Sequence, residues 1–250
     1  MMKKKDISIS VKNVSLVYRS FSKFSIRKNL LGFKKLQRKN FQALSNISFD
    51  IYKGQIVGII GKNGCGKSTL LKTIGGVISP DSGLINLYGN TVSLMAIGVG
   101  FNTNLTGYEN IYLSGMLLGF DENEIYEKEK EIISFSELGD FIFEPVKNYS
   151  SGMLSKLAFS ITAVLETDII LIDEVLSVGD IKFREKSYNK MKELIQNNDK
   201  TVLIVSHDMN TLEEICDEVI WLHDGKIKMR GKPDSIIMHY KKFMKVKDKK

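Results

Sequence analysis

The sequence predicts an α/β fold with a parallel-sheet core, an N-terminal antiparallel β part and an inserted α-helical part. Residues 55–60, 169–172 and 202–205 are short apolar runs, the pattern of strands buried on both faces. Ile7-Ser8-Ile9-Ser10-Val11 and Ile47-Ser48-Phe49-Asp50-Ile51 instead alternate with period two, as half-buried antiparallel strands do. From about residue 96 to residue 160 the pattern turns helical.

Taken in chain order, the two alternating strands enclose a basic, apolar-studded segment at 19–40 that reads as an insertion. The first core strand, Gln55-Ile56-Val57-Gly58-Ile59-Ile60, precedes a glycine-rich turn and the helical Leu70-Leu71-Lys72-Thr73-Ile74. Residues 84–92, interrupted by the turn-like Tyr88-Gly89-Asn90, are expected to form a short strand pair. Thr106-Gly107-Tyr108-Glu109 fits a capping box, with Ile111, Leu113, Met116 and Leu117 as the expected buried face. Residues 121–134 read as a charged helix that buries Ile125, Ile132 and Ile133. Residues 219–229 form a hairpin about Asp224-Gly225, and Asp234-Ser235-Ile236-Ile237-Met238-His239-Tyr240 is helical. Residues 241–250 are expected to be a solvated basic tail. No repeat or low-complexity linker divides the chain, so residues 1–250 are read as one domain.

Composition narrows the function. The 250 residues are 43% hydrophobic and 26% charged, ordinary for a soluble globular chain. No apolar run approaches the roughly 18 to 20 residues of a membrane span, and no apolar core follows the basic N-terminus as in a secretory signal. Cys65 and Cys216 make neither a disulfide framework nor a metal-ligand spacing. The net charge of +7 is concentrated: Arg19 to Lys39 holds eight basic residues and no acidic one. Phe21, Phe24, Leu30, Leu31 and Phe33 interleave with those charges, which suggests an amphipathic element against a membrane surface. A solvated loop is the plainer reading. No nucleic-acid reading module accompanies the charge, so no nucleic-acid partner is expected.

Chemistry begins at Gly61-Lys62-Asn63-Gly64-Cys65-Gly66-Lys67-Ser68-Thr69, which satisfies G-x-x-x-x-G-K-[ST] at each fixed position. The glycines let backbone N–H groups curl around phosphate oxygens, and the following helix N-terminus adds partial positive charge. Lys67 is placed to reach the β- and γ-phosphates, and the Ser68 hydroxyl to ligate Mg²⁺. Asp173-Glu174 ends the apolar run 169–172 and supplies one carboxylate for Mg²⁺ and one for a water. Tyr149-Ser150-Ser151-Gly152-Met153 opens a helix about twenty residues upstream, and His207 follows the apolar run 202–205.

This order resembles the nucleotide-binding subunits of ABC transporters, a P-loop NTPase family, across essentially the whole chain. The resemblance implies that Glu174 is the catalytic base and that His207 contacts the γ-phosphate, with Lys67 completing the catalytic set. It implies that Tyr18 stacks on adenine. It implies that Ser150, Ser151 and Gly152 stand where the family has Leu-Ser-Gly-Gly-Gln and meet ATP bound by the opposite subunit. Leu176-Ser177-Val178-Gly179-Asp180 matches the loop after the catalytic glutamate, which makes Asp180 a further site residue. ATP and Mg²⁺ are the implied ligands.

Two departures point to a subfamily. The helix-opening sequence has lost one glycine and its final glutamine. The glutamine expected before the helical part is also missing, and residues 98–110 stand there instead, with Asn102 as its stand-in. With the insertion, these features look like the ATPases that export O-antigen, capsule and teichoic acid. The implied partners are a second copy joined by ATP, an integral membrane permease, a lipid-linked glycan as cargo, and the membrane surface through 19–40. The implied place is the cytoplasmic face of the inner membrane. An importer or small-molecule exporter subunit is the alternative, but those normally keep the glutamine and the fuller glycine-rich sequence. Repair and translation ATPases of the class need a long coiled coil or two tandem units. A C-terminal carbohydrate-binding domain, found in some exporters, is not expected after the helix at 234–240.

Overall fold

In a computed structural model of the chain, residues 6–20, 39–95, 100–173, 180–196 and 199–247 are described. Residues 21–38 of the insertion expected at 19–40, and residues 174–179, including Glu174, lie outside them.

Strands β1 (Ile7–Ser20) and β2 (Lys39–Tyr52) pair antiparallel, and β4 (Ser82–Asn86) joins the free edge of β1. The second sheet runs β5-β6-β7-β3-β8-β9, from β5 (Val92–Met95), β6 (Ile169–Ile172), β7 (Thr201–Val205), β3 (Ile56–Ile60), β8 (Glu218–His223) and β9 (Lys226–Gly231). All neighbours in it are parallel except β8 and β9, the expected hairpin. The strand pair expected at 84–92 does not form. Its halves part at the Tyr88–Gly89 turn, β4 to the antiparallel sheet and β5 to the parallel one beside β6.

One core fills the space between the sheets, where Ile9, Leu44, Ile47 and Ile51 meet Leu70, Leu71 and Leu203 around α1 (Lys67–Ile74). The opposite face of the parallel sheet buries Phe159, Phe183, Leu194, Trp221 and Ile236. Trp221 comes from β8, and the others are carried onto that face by α4 (Ser151–Val164), α5 (Ile181–Gln196) and α7 (Pro233–Lys247), with α6 (Met209–Ile215) contributing Leu212. Residues 241–247, expected as tail, continue α7, because Phe243 and Met244 pack on that second core while Lys241, Lys242 and Lys245 are exposed.

The inserted helices α2 (Gly107–Leu117) and α3 (Glu122–Ser136) share a third core with α4, built from Ile111, Ile125, Ile132, Ile142, Leu157 and Ile161. Both begin with capping boxes, Thr106 with Glu109 and Asp121 with Glu124. The face of α2 differs from expectation. Met116 and Leu117 are exposed at 54% and 66%, while Gly107, Asn110, Ser114 and Gly115 are buried. Gly115 explains the swap: a Cβ there would stand 2.6 Å from the Ile125 side chain, so α2 approaches α3 through its small residues. Ile133 is half-buried. Among the described residues no helix is long and apolar enough to cross a membrane.

Candidate nucleotide site

The sheet order explains why residues far apart in sequence meet. Strands β6, β7 and β3 are adjacent and parallel, with Ile172 opposite Ile204 and Val205 opposite Ile59. Their carboxyl ends therefore open on one edge, delivering Asp173, His207 and the loop from Gly61 to Gly66 together. Ligands of open α/β sheets bind at this edge.

The loop itself is shaped by close backbone approach. Gly66 has φ of +105°, and a Cβ on it would lie 2.4 Å from the Ala43 carbonyl oxygen, so only glycine fits. Gly64 also has positive φ, and a Cβ there would meet nothing within 4 Å. Asn63 and Gly64 are exposed on the rim, while the Cys65 side chain turns inward. Burial pushes the Cys65 thiol above its ordinary range, and the Lys67 charge opposes that rise. Cys65 thus packs as an apolar side chain.

Lys67 is buried at 7% exposure and donates to the carbonyls of Gly61 (2.9 Å) and Lys62 (3.2 Å). Its ammonium is held over the loop it belongs to. Ser68 lies in the first turn of α1, and its hydroxyl donates to Asp173 Oδ1 at 3.0 Å across 105 residues. A hydroxyl and a carboxylate at that spacing are hard oxygen donors that fit Mg²⁺. The Thr69 hydroxyl lies 3.4 Å from the Tyr18 hydroxyl, so the end of β1 comes down to the first turn of α1. His207 is exposed just beyond β7.

Other predicted residues lie apart from this cluster. Ser150 caps α4, its hydroxyl accepting from the Met153 N–H at 3.2 Å, with Ser151 exposed beside it. A Cβ on Gly152 would have only the Ser150 hydroxyl within 4 Å, at 3.8 Å. That helix start is open to solvent. Asn102 Oδ1 accepts from the Asn104 N–H at 3.1 Å, so this side chain closes its own turn. Asp180 Oδ1 accepts from the Phe183 N–H at 3.0 Å at the start of α5, and the carboxylate also pairs with Lys156 of α4. Asp180 therefore ties the start of α5 to α4.

A short backbone ladder ties the helical insertion to the Ser150 turn. Lys147 N–H donates to Thr103 (2.9 Å), Val146 N–H to Leu105 (2.9 Å) and Gly107 N–H to Glu144 (3.2 Å), around a Thr106–Pro145 bridge. Asn110, fully buried, holds one side of it. Its amide donates to the carbonyls of Asn102, Leu105 and Thr106, and its oxygen accepts from the Asn102 N–H. Tyr149 holds the other side, its hydroxyl donating to the Phe141 carbonyl at 2.6 Å.

Phe41 was not read as a site residue. It lines, with residues of the phosphate loop from Asn63 to Thr69, a cavity of about 340 Å³. Its signal was hairpin symmetry: Tyr18 and Phe41 lie at equal distances from the middle of the insertion and pair directly. Lys156 was also missed, because a lysine inside a helix carries no mark of its partner.

Comparisons with known proteins agree with this geometry. The sequence profile of the family described as ABC transporter matches residues 44–177. A teichoic acids export ATP-binding protein of Lactococcus lactis is 49% identical over 217 residues, covering 87% of this chain and 46% of the relative. This chain thus spans about half the length of that relative. An O-antigen export system ATP-binding protein of Klebsiella pneumoniae is 44% identical, covering 85% of this chain and 86% of the relative. A teichoic acids export ATP-binding protein of Staphylococcus epidermidis is 42% identical, covering 98% and 92%. Among solved structures, an ATP-binding subunit of an ABC transporter superposes with a TM-score of 0.69 at 24% identity, covering 93% of this chain and 92% of its own. A dimeric ATP-binding cassette in a post-hydrolysis state with ADP and phosphate gives 0.67 at 24% identity, covering 90% and 98%. From the phosphate loop through the strand that precedes Asp173, the chain belongs to the ABC transporter family.

Proposed function

We propose that this chain is the ATP-hydrolysing subunit of an exporter that carries a lipid-linked polysaccharide, of the O-antigen, capsule or teichoic acid kind, across the cytoplasmic membrane. It works as an ATP-dependent homodimer on the cytoplasmic face, bound to an integral membrane permease. The observation that carries the catalytic part is the 3.0 Å contact between Ser68 and Asp173, beside a loop whose Lys67 is already folded over it. The export part is supported by the names of relatives at 42% to 49% identity.

Each residue has one task. Gly61, Asn63, Gly64, Cys65, Gly66 and Thr69 lend backbone N–H groups to phosphate oxygens, and Lys67 neutralises charge there. Ser68 and Asp173 would hold Mg²⁺, which when bound supplies charge neutralisation to the phosphates. Glu174 accepts a proton from the attacking water and His207 orients the γ-phosphate. Tyr18 supports the base. Ser150, Ser151 and Gly152 present a helix start to the partner's nucleotide, so each site needs two chains. Asn102 and Asp180 act from outside, through the turns they close. The basic segment 19–40 faces anionic headgroups, at about 1 kcal/mol per basic residue near the surface.

Two substitutions test the chemistry. Lys67→Ala should lose ATP binding, whereas Glu174→Gln should keep binding and lose turnover by about 10²-fold or more. Full turnover in Glu174→Gln would remove that carboxylate from the mechanism. In cells, replacing Lys34, Lys35, Arg38 and Lys39 with glutamine should impair glycan export while the purified subunit keeps its ATPase activity. Unchanged export at normal protein levels would reduce the segment to a loop.

A further inference from the structure

The turn of the β8–β9 hairpin is packed against the phosphate loop. His223 pairs with Lys226, so the turn is the two-residue loop Asp224-Gly225, with φ of +46° and +72°. Positive φ at both central positions is the type I′ geometry that suits a hairpin. The Gly225 N–H donates to the Cys65 carbonyl at 3.1 Å, and the Gly225 carbonyl accepts from the Ser45 N–H at 2.8 Å. A Cβ on Gly225 would stand 2.8 Å from the Ala43 carbonyl oxygen, the same atom that crowds Gly66. Hairpin turn, phosphate loop and β2 therefore meet through their main chains at one point.

What the contact fixes follows from the peptide plane. In a trans peptide the carbonyl of one residue and the N–H of the next point in opposite directions. Gly225 takes the Cys65 carbonyl, so the Gly66 N–H of the same peptide points the other way. Gly66 lines the 340 Å³ cavity with Lys67, Ser68 and Thr69, while the Cys65 side chain is buried. From this arrangement we infer that Gly225 is a positioning residue for phosphate binding: by holding the Cys65 carbonyl it aims the Gly66 N–H at the phosphate oxygens. The inference rests on the nucleotide reading of the loop and adds a support from the last strand pair of the sheet. Glycine is required there for its backbone alone, because any L side chain would be strained at this φ and would collide with Ala43. Bound phosphate tightens the same tie. An N–H that donates to an anion polarises its own peptide, and the carbonyl of that peptide becomes a better acceptor for Gly225.

Two variants of the full chain and one spectrum test this. In titration calorimetry, Gly225→Ala should weaken Mg-ATP and Mg-tripolyphosphate alike, each about tenfold or more, the scale of one misdirected bond to a charged group. KM for ATP should rise while kcat changes little, as expected when ground and transition states lose the same contact. Gly89→Ala is the control, since its φ of +79° imposes similar strain and a Cβ there would meet nothing within 4 Å. It should lose stability and keep both affinities. Wild-type affinities in Gly225→Ala would overturn the inference, and so would equal losses in Gly89→Ala, because strain alone would then be the cause. In the amide NMR spectrum of the wild-type chain, saturating tripolyphosphate should move the Gly225 amide proton downfield. An unmoved resonance would overturn the inference even where Gly225→Ala fails to fold. If the wild-type chain binds neither ligand, the nucleotide reading fails first and the Gly225 inference with it.

Discussion

The Lys156 ammonium lies 2.7 Å from the Asp180 carboxylate, joining the helix that Ser150 caps to the helix that follows the 174–179 loop. Lys156 is mostly buried, rests 5.0 Å from the centre of the Phe183 ring, and has Glu137 at 3.8 Å as a second acid. Asp180 remains largely exposed, and exposed pairs contribute little to stability. The contact instead fixes where one helix start sits relative to the other. Lys156→Met should therefore leave the unfolding midpoint nearly unchanged while lowering ATPase turnover severalfold. A large loss of stability with normal turnover would contradict this positional role.

The same pair sets a pH dependence. The hydrogen bond from Lys156 holds the Asp180 carboxyl at about 2, below its ordinary 3.8. A carboxyl lowered on folding stabilises the native state above its unfolded value, and that contribution fades as pH falls toward the folded one. Because Asp180 is largely exposed, urea midpoints of wild type and Asp180→Asn should differ by only a small, constant amount above about pH 5 and converge between roughly pH 4 and pH 2. A gap that widens in acid would reverse the assignment.

Ser150 combines two tasks that one substitution separates. Aspartate caps helices as well as serine does, so Ser150→Asp should fold with a thermal midpoint at least equal to the wild type's. It would also aim a negative charge where the partner's phosphates are proposed to sit. In a Glu174→Gln background, ATP should therefore fail to convert this variant from monomer to dimer in light scattering. Normal dimerisation would remove the helix start from the composite site.

Gly107 and Tyr149 should prove energetically coupled. A Cβ on Gly107 would stand 2.2 Å from the Tyr149 hydroxyl and 3.0 Å from the Ile142 carbonyl oxygen. Gly107→Ala should cost about 2 kcal/mol or more in the wild type, as overpacking typically does. In Tyr149→Phe the nearest obstacle is gone, so the same change should cost at least about 0.5 kcal/mol less. Denaturant unfolding of the four proteins in the cycle measures the difference. Burial raises the Tyr149 phenol to about 12, so the cycle should not change between pH 6 and pH 9.

Asn110→Ala should destabilise by about 2 to 3 kcal/mol, since one buried amide serves three carbonyls and one N–H that would lose their partner. Asn110→Asp should do no better, because a carboxylate cannot donate to those carbonyls. Urea midpoints decide it.

What the sequence made legible was whatever chemistry forces onto fixed spacing. The phosphate loop needs its glycines and lysine at set intervals, and strands buried on both faces must be apolar throughout, which revealed β3, β6 and β7. The partners of β4 and β5 were hidden because each is four or five residues long, and only distant β1 and β6 decide where they pair. The buried face of α2 was hidden for a different reason: close helix approach selects Gly115 and Ser114, residues that hydrophobic periodicity passes over. Lys156 gave no local signal and Phe41 only the symmetry of its hairpin, since each acquires its place from a neighbour on another element.

The ladder between 103–107 and 144–147 is written in main-chain hydrogen bonds, so it constrains chain length more than residue identity. The exposed side chains at Thr103, Asn104, Glu144 and Lys147 can be exchanged freely, to suit whatever surface they meet, without moving the turn that aims Ser150. Adding or deleting a single residue on either side would shift the pairing by one step and swing that turn away. Those four positions should therefore tolerate wide chemical substitution across related chains, while the segment tolerates almost no variation in spacing.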